Sequence, residues 1–438
     1  MIRLKVISGL VSIFLILSLL FGCTSGSEET EEPVTKLYFM YPRDGSQIFK
    51  RLIYEYNQMY ELDQSEAEES QGQNQILIEG IEVSGTPSDF FQQFNMMSEE
   101  GETVPDVMLI HDTWLAKMAE EECILPLDGG LNQNIKNDFF KGLHEAMIWN
   151  GRTYGIPFRQ DQPLLYYRSD LVGDDLPSSW IDLAYTAKRI ISENDIDYGL
   201  VFPGDITEST AAFLSSIWSF FGAEPDFETG DIQFDEAGMK SAWSLIKRMI
   251  SDGTLSSDVL DMSPEECRAV MEAGNAAFMW NWSYATRILL DEDSPLYGKI
   301  AVTTLPVSEE NGGGGIISGY ALVINKATGF VSEAWNFIKF LISRENQEQL
   351  FDAGWIPANK SLYQSYSFLN LGLPSDFPAI FETGRTINPG TNVEGVLSMM
   401  NQAAGLALLE DKSVEELSFF IKEGMVVEEI GPGAEESE

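Results

Sequence analysis

Imidazole chemistry has little to work with here, since 438 residues carry only two histidines, His111 and His144. They do not stand in an HExxH spacing, and a Ser-His-Asp relay or a His-rich zinc site would have to use one or both of them. Three cysteines, Cys23, Cys123 and Cys267, are too few for a disulfide scaffold. Adjacent Tyr166 and Tyr167 offer phenolates to ferric iron, but strand neighbours point to opposite faces, so the pair cannot share one ion without distortion. No metal and no cofactor is expected. Met279, Trp280 and Trp282 form an apolar cluster in which alternation puts the two indoles on one face. Acids are the abundant group. Asp plus Glu total 69 against 27 Lys plus Arg, a formal charge of −42, and such a field repels DNA or RNA.

The elements that must hold these groups follow from the hydrophobic pattern. At 44% hydrophobic and 22% charged, the composition is globular, and the length suits two to three domains. Leu37–Tyr41 reads as a buried strand, Gln47–Tyr60 as a helix, and Gln75–Val83 as a second strand. A helix through Phe90, Phe91, Phe94 and Met97 and a third strand, Val107–Ile110, complete a β-α-β-α-β alternation, which predicts a parallel sheet with crossover helices. The acidic stretch Asp63–Asn74 reads as a solvated insertion. Further on, strands are expected at Leu164–Tyr167, Tyr198–Phe202, Ala276–Trp280, Lys299–Thr304 and Tyr320–Ile324. Helices are expected at Trp180–Ile191, Thr210–Phe221, Gly238–Ile250 and Ser332–Ser343. Gly312–Gly315 is the strongest flexible break, and the acidic, Gly-rich end is expected to fray.

The first 22 residues place a basic start, Arg3 and Lys5, before an apolar run, Val6–Phe21, which reads as an export signal. Leu20-Phe21-Gly22-Cys23 resembles a bacterial lipobox, in which cleavage precedes a cysteine that becomes diacylated. Cys23 and the polar, acidic stretch to residue 33 then form a lipid-held tether. A folded, acidic domain outside the cytoplasm and anchored to a lipid membrane is the expectation.

Landmarks spread over some 300 residues stand in a familiar order. They include Pro105-Asp106-Val107 with Trp114 and Leu125-Pro126-Leu127-Asp128, then Gly151 to Pro157, Asp161, and Leu164 to Leu171. Glu272 to Ala285 with Asn281-Trp282-Ser283-Tyr284, Gly319-Tyr320, Ala334 to Leu341 and Gly354-Trp355-Ile356-Pro357 continue the series. In this the chain resembles the extracellular solute-binding proteins that feed carbohydrates to ABC importers, family 1, and within them the trehalose/maltose-binding type. The resemblance implies an α/β, two-lobed periplasmic-binding-protein fold of type II with three hinge crossovers. Lobe one would be about Val34–Gln160 plus Ile316–Gly354, and lobe two about Asp161–Gly315 plus Trp355–Gly433, with 434–438 a frayed tail. Gly312–Gly315 would fall at a hinge.

A sugar presents hydroxyls around its ring plane and C–H faces above it, so a site needs carboxylates or arginines for the first and flat aromatics for the second. The resemblance implies Asp161 as the crossover acid, Trp282 as the stacking indole, Tyr320 at a position often held by Trp, and Arg385 as a late arginine reaching the cleft. It implies an acid near residue 112; Asp112 or His111 fills that place, Asp112 also suiting a helix N-cap. Asp44 follows the first strand, where the resemblance implies a ligand-binding acid, although Pro42-Arg43-Asp44-Gly45 equally suits a turn. The arginine that sugar binders often carry near the second strand is missing from Gln75–Thr86. Cys123 and Cys267 fall in different lobes and read as free thiols. The expected function is a monomeric, non-enzymatic receptor that closes on an oligosaccharide of trehalose or maltose type and delivers it to the permease subunits of an ABC importer. The alternatives are a non-sugar ligand, such as a polyamine or polyol, and a secreted glycoside hydrolase working through two acids.

Overall fold

The computed structural model describes residues 35–43, 46–66, 76–100, 104–128, 136–173, 176–223, 235–308, 316–365, 373, 377–378, 385–386, 390 and 392–427. The export signal, Cys23 and its tether, Asp44, residues 67–75, the Gly312–Gly315 run and the tail lie outside the described residues.

Two sheets organise the chain. The first grows from β1 (Thr35–Pro42), β2 (Ile76–Val83) and β3 (Val107–His111), with β1 paired in parallel to both neighbours. The helices Ile48–Glu66 and Pro87–Glu100 make the crossovers, as the alternation predicts. All five residues of β3 are buried, the signature of a strand covered on both faces. After a small hairpin of β4 (Ile148–Trp149) and β5 (Arg152–Thr153), β6 (Ile156–Asp161) joins the same sheet.

At Gln162 the chain leaves for the second sheet. β7 (Pro163–Arg168), β8 (Tyr198–Val201), β9 (Ala276–Trp282) and β10 (Ile300–Thr303) form it in the order β10-β7-β9-β8. The expectation of one strand at Leu164–Tyr167 is therefore incomplete. Residues 156–168 hold two strands in two sheets, split at Gln162-Pro163, where the proline lacks a ladder donor. β11 (Ile316–Ile324) returns to the first sheet and inserts antiparallel between β3 and β6. β12 (Ile356–Pro357) pairs with the other edge of β6, giving the order β12-β6-β11-β3-β1-β2, and β13 (Arg385–Thr386) pairs with the start of β11.

The expected move to lobe two at Trp355 is thus corrected. Ile356–Pro357 is bonded to β6, Phe139 bridges Asn359, and Tyr363 packs edge-on against Phe140, so the chain stays on the first sheet's side to about residue 365. The helices Val393–Leu408 and Val414–Val427 follow; the first packs on the helix Thr207–Phe220 of the second lobe.

Each lobe has its own aromatic core. Phe39 meets Phe49 and Phe337 edge-on in the first. In the second, Phe202 stacks on Phe213 at 3.9 Å, among fully buried Trp180, Trp218, Trp243 and Trp280. Cys123 and Cys267 are free thiols, as expected. Among the described residues no helix is long and apolar enough to cross a membrane.

Candidate ligand-binding cleft

A cavity of about 650 Å³ opens between the lobes, where the chain crosses from one sheet to the other. The first-sheet wall comes from β3, β6 and β11, with Trp355 just before β12. The second-lobe wall comes from the end of β9, the start of the helix Thr207–Phe220 and the start of the helix Pro264–Glu272. The last of these is fixed by a capping box. Ser263 Oγ accepts from Glu266 N, Glu266 Oε2 accepts from Ser263 N, and Pro264 stands at the first helical position.

Strand register assembles the first wall. Arg159 on β6 lies opposite Tyr320 on β11 and opposite Pro357 on β12. Its guanidinium consequently sits between two rings, 3.9 Å from the Tyr320 centroid and 3.6 Å from that of Trp355. Arg159 Nη2 is 3.1 Å from Asp161 Oδ2, two residues on along the same strand. Arg159 is only 5% exposed, and its Nε and Nη1 have no partner among the described residues.

Asp161 and Tyr320 line the cleft, as expected. Burial raises the Asp161 pKa, and the Arg159 charge opposes that rise. Burial likewise pushes the Tyr320 phenol up to about 12, so it remains a donor at neutral pH. Trp282 lines the opposite wall, its Nε1 donating to Ser209 Oγ at 3.0 Å. Trp280 lies on the same face, 5.1 Å away ring to ring, but is fully buried and donates to Ser216 Oγ at 3.3 Å. The pairing by alternation holds, and Trp282 is the member that reaches the cavity.

The acid near residue 112 is corrected: His111 lines the cavity, whereas Asp112 lies behind the wall, with its side chain 7% exposed. The helical turn is capped by His111, not by Asp112. His111 Nδ1 takes the Thr113 hydroxyl at 2.8 Å, which leaves Nε2–H to donate to Ser318 Oγ at 3.0 Å. Burial and the Arg159 charge drive the His111 pKa down to about 3, so the ring is neutral and its 3.3 Å approach to Asp112 is not an ion pair. Asp112 is pushed up to about 8 by burial and by Asp161, and carries a proton at neutral pH.

Arg385 is placed by backbone only, opposite Ile316, and its side chain, like all of Asp44, lies outside the described residues. Arginines absent from the second strand enter the cleft from elsewhere: Arg43, Arg159 and Arg287. Sequence reasoning missed Arg159, Glu208, Arg287 and Trp355. Arg159 stands two residues before Asp161, and strand alternation could have put both on one face. Glu208 had no local signal. Among the described residues no group of three or more His, Cys, Asp or Glu could hold a metal ion.

Two α/β lobes linked by crossing strands around a cleft of aromatic rings, carboxylates and guanidiniums define a two-lobed binding protein of type II. The chain belongs to the bacterial extracellular solute-binding protein family, whose profile matches residues 79–348. A probable ABC transporter-binding protein of Deinococcus radiodurans is 30% identical over 253 residues, 55% of this chain and 60% of that one. A maltooligosaccharide ABC transporter solute-binding lipoprotein of Streptococcus pneumoniae is 25% identical over 299 residues, 64% of this chain and 66% of that one. The fold is that of maltose-bound MalE3 of T. maritima, with a TM-score of 0.76 at 23% identity over 90% of this chain and 100% of the other.

Proposed function

We propose that the protein is the sugar receptor of an ABC importer, capturing a short oligosaccharide of maltose or trehalose type between its lobes and presenting it to a membrane permease. One observation carries the reading. The flat side chains of Trp282, Tyr320 and Trp355 and the polar heads of Asp161, Arg159 and Glu208 converge from both lobes on a single cavity of about 650 Å³. Rings cover the C–H faces of a sugar, and the charged heads take its hydroxyls. Such a volume suits a small molecule rather than a polymer. Contacts to both walls favour the closed arrangement, which is how a ligand would signal its presence to the permease. Names of similar proteins agree: one relative is a maltooligosaccharide lipoprotein, and one structural neighbour holds maltose.

A polyamine would also suit acids and aromatics, but Arg43, Arg159 and Arg287 in the same walls would repel it. A hydrolase would need an acid pair flanking a bond; of the four acids that line the cavity, Asp161, Glu208, Glu265 and Asp352, the first is instead tied to Arg159. Residues 1–22 followed by Cys23 support export and acylation, so the receptor would be held on the membrane outside the cytoplasm.

Calorimetric titration of the exported protein with maltose, trehalose, maltotriose, sucrose and spermidine tests the reading. Saturable binding of at least one sugar without turnover is expected, with Trp282→Ala weakening it at least about tenfold. Heat from spermidine alone, or cleavage of a sugar during the titration, would refute it.

A further inference from the structure

Trp355 reaches the cleft from a turn rather than from a strand. The helix Arg344–Asp352 closes in a Schellman motif: Gly354, at φ +99°, donates to Phe351 O at 2.9 Å, and Trp355 N donates to Leu350 O at 3.1 Å. These bonds fix the backbone and leave the indole to be set by packing, since its Nε1 has no hydrogen-bond partner among the described residues. Across one face of the indole lies Arg159. Its guanidinium carbon is 3.6 Å from the Trp355 centroid and 3.9 Å from that of Tyr320, stacking distance for both rings. Tyr320 is backed in turn by the His111 ring, edge-on at 5.2 Å. The same guanidinium meets Asp161 through Nη2 at 3.1 Å. Burying an arginine whose Nε and Nη1 find no acceptor is costly, and an apolar side chain could fill the gap without that cost. What arginine adds is a plane. It can lie against two rings and hold a carboxylate at its edge in one fixed arrangement.

Resting on the sugar-receptor reading, we propose that Arg159 is a positioning residue: its flat guanidinium wedges between Trp355 and Tyr320 and holds Asp161 at its edge, so that two rings and an acid stand as one ordered wall before the sugar arrives. The sugar then does not bear the entropy of ordering these three side chains. The planar shape of the group does this, and its charge alone does not suffice.

The test uses the exported protein labelled with 5-fluorotryptophan, read by fluorine NMR and by calorimetry with maltose, trehalose and maltotriose as probes. The Trp355 line is identified by its loss in Trp355→Ala. In wild type without sugar that line is expected to be single and narrow. Arg159→Lys keeps a cation for Asp161 but has no plane. It is expected to shift and broaden the Trp355 line, to leave the lines of Trp180, Trp218 and Trp243 in the second lobe where they are, and to weaken the bound sugar at least about fivefold. In a Trp355→Ala background the loss from Arg159→Lys should shrink, because both act through one stack. Thermal melts confirm that each variant is folded. Should Arg159→Lys fail to fold, the wild-type spectrum decides: a Trp355 line that narrows only when sugar is added would overturn the proposal. A folded Arg159→Lys that binds sugar as wild type does, weaker binding with an unmoved Trp355 line, or fully additive losses would overturn this proposal alone. A wild type silent towards all three sugars would overturn the receptor reading, and the fluorine lines would still decide whether Arg159 sets Trp355.

Discussion

Asp112 shows what burial does to an acid beside a charged cleft. Its pKa of about 8 stands far above the ordinary value of 3.8, through burial first and the charge of Asp161 second. Between those values the folded protein holds a proton that the unfolded chain has released. The stabilisation is therefore complete below about pH 4 and is lost as pH rises towards 8. Wild type is expected to lose a few degrees of melting temperature across that window. Asp112→Asn, neutral in both states, should show a shallower decline in melts recorded from pH 4 to 8; equal slopes would exclude Asp112 as the source. At this scale the site was half legible. Asp161, Trp282 and Tyr320 announce themselves through short motifs, the first two at strand ends and Tyr320 in the middle of β11. Glu208 does not, because what positions its carboxylate includes a hydrogen bond from Ser88 Oγ in the helix Pro87–Glu100, 120 residues away. The choice between His111 and Asp112 turned on which way adjacent side chains face as β3 runs into a helical turn, a detail that residue order does not carry.

Strand register is what makes the residues a site. Gly319 lies opposite Gln160 where β11 crosses β6, and a Cβ there would come within 2.4 Å of the Arg159 carbonyl oxygen. Gly319→Ala must push the two strands apart, and with them the Tyr320–Arg159 stack. The expected cost is roughly 1–3 kcal/mol of stability in chemical denaturation, together with loss of sugar binding; a variant of wild-type stability would contradict the register. Ser263→Ala removes the capping-box acceptor of the helix whose first residues line the cleft, and should cost about 1 kcal/mol by the same assay. Elements with strong periodicity were legible: Trp180–Glu193 and Glu236–Ser251 fall within a few residues of the expected helices, whereas Ile48–Glu66 starts where expected but runs six residues past Tyr60, into the start of the stretch read as an insertion. The missed strand, β6, begins with Ile156-Pro157 and ends with Arg159-Gln160-Asp161. Charged residues buried against two neighbouring strands do not look like a strand until those neighbours are known.

For the whole molecule, the reading of the amino terminus makes a separate prediction. Radiolabelled palmitate should mark the wild-type protein and fail to mark Cys23→Ala; equal labelling would move the anchor elsewhere. Each lobe is stitched from distant stretches, and the order of stitching matters for a chain that is made amino end first. β11, residues 316–324, is the inner strand that joins β3 to β6. Until it has emerged, those two strands have open edges and the first lobe lacks its middle. The second sheet, drawn wholly from residues 163–303, has all its strands earlier. Residues 316–324 therefore complete the amino-terminal lobe, and with it the cleft, only after every strand of the second sheet has been made.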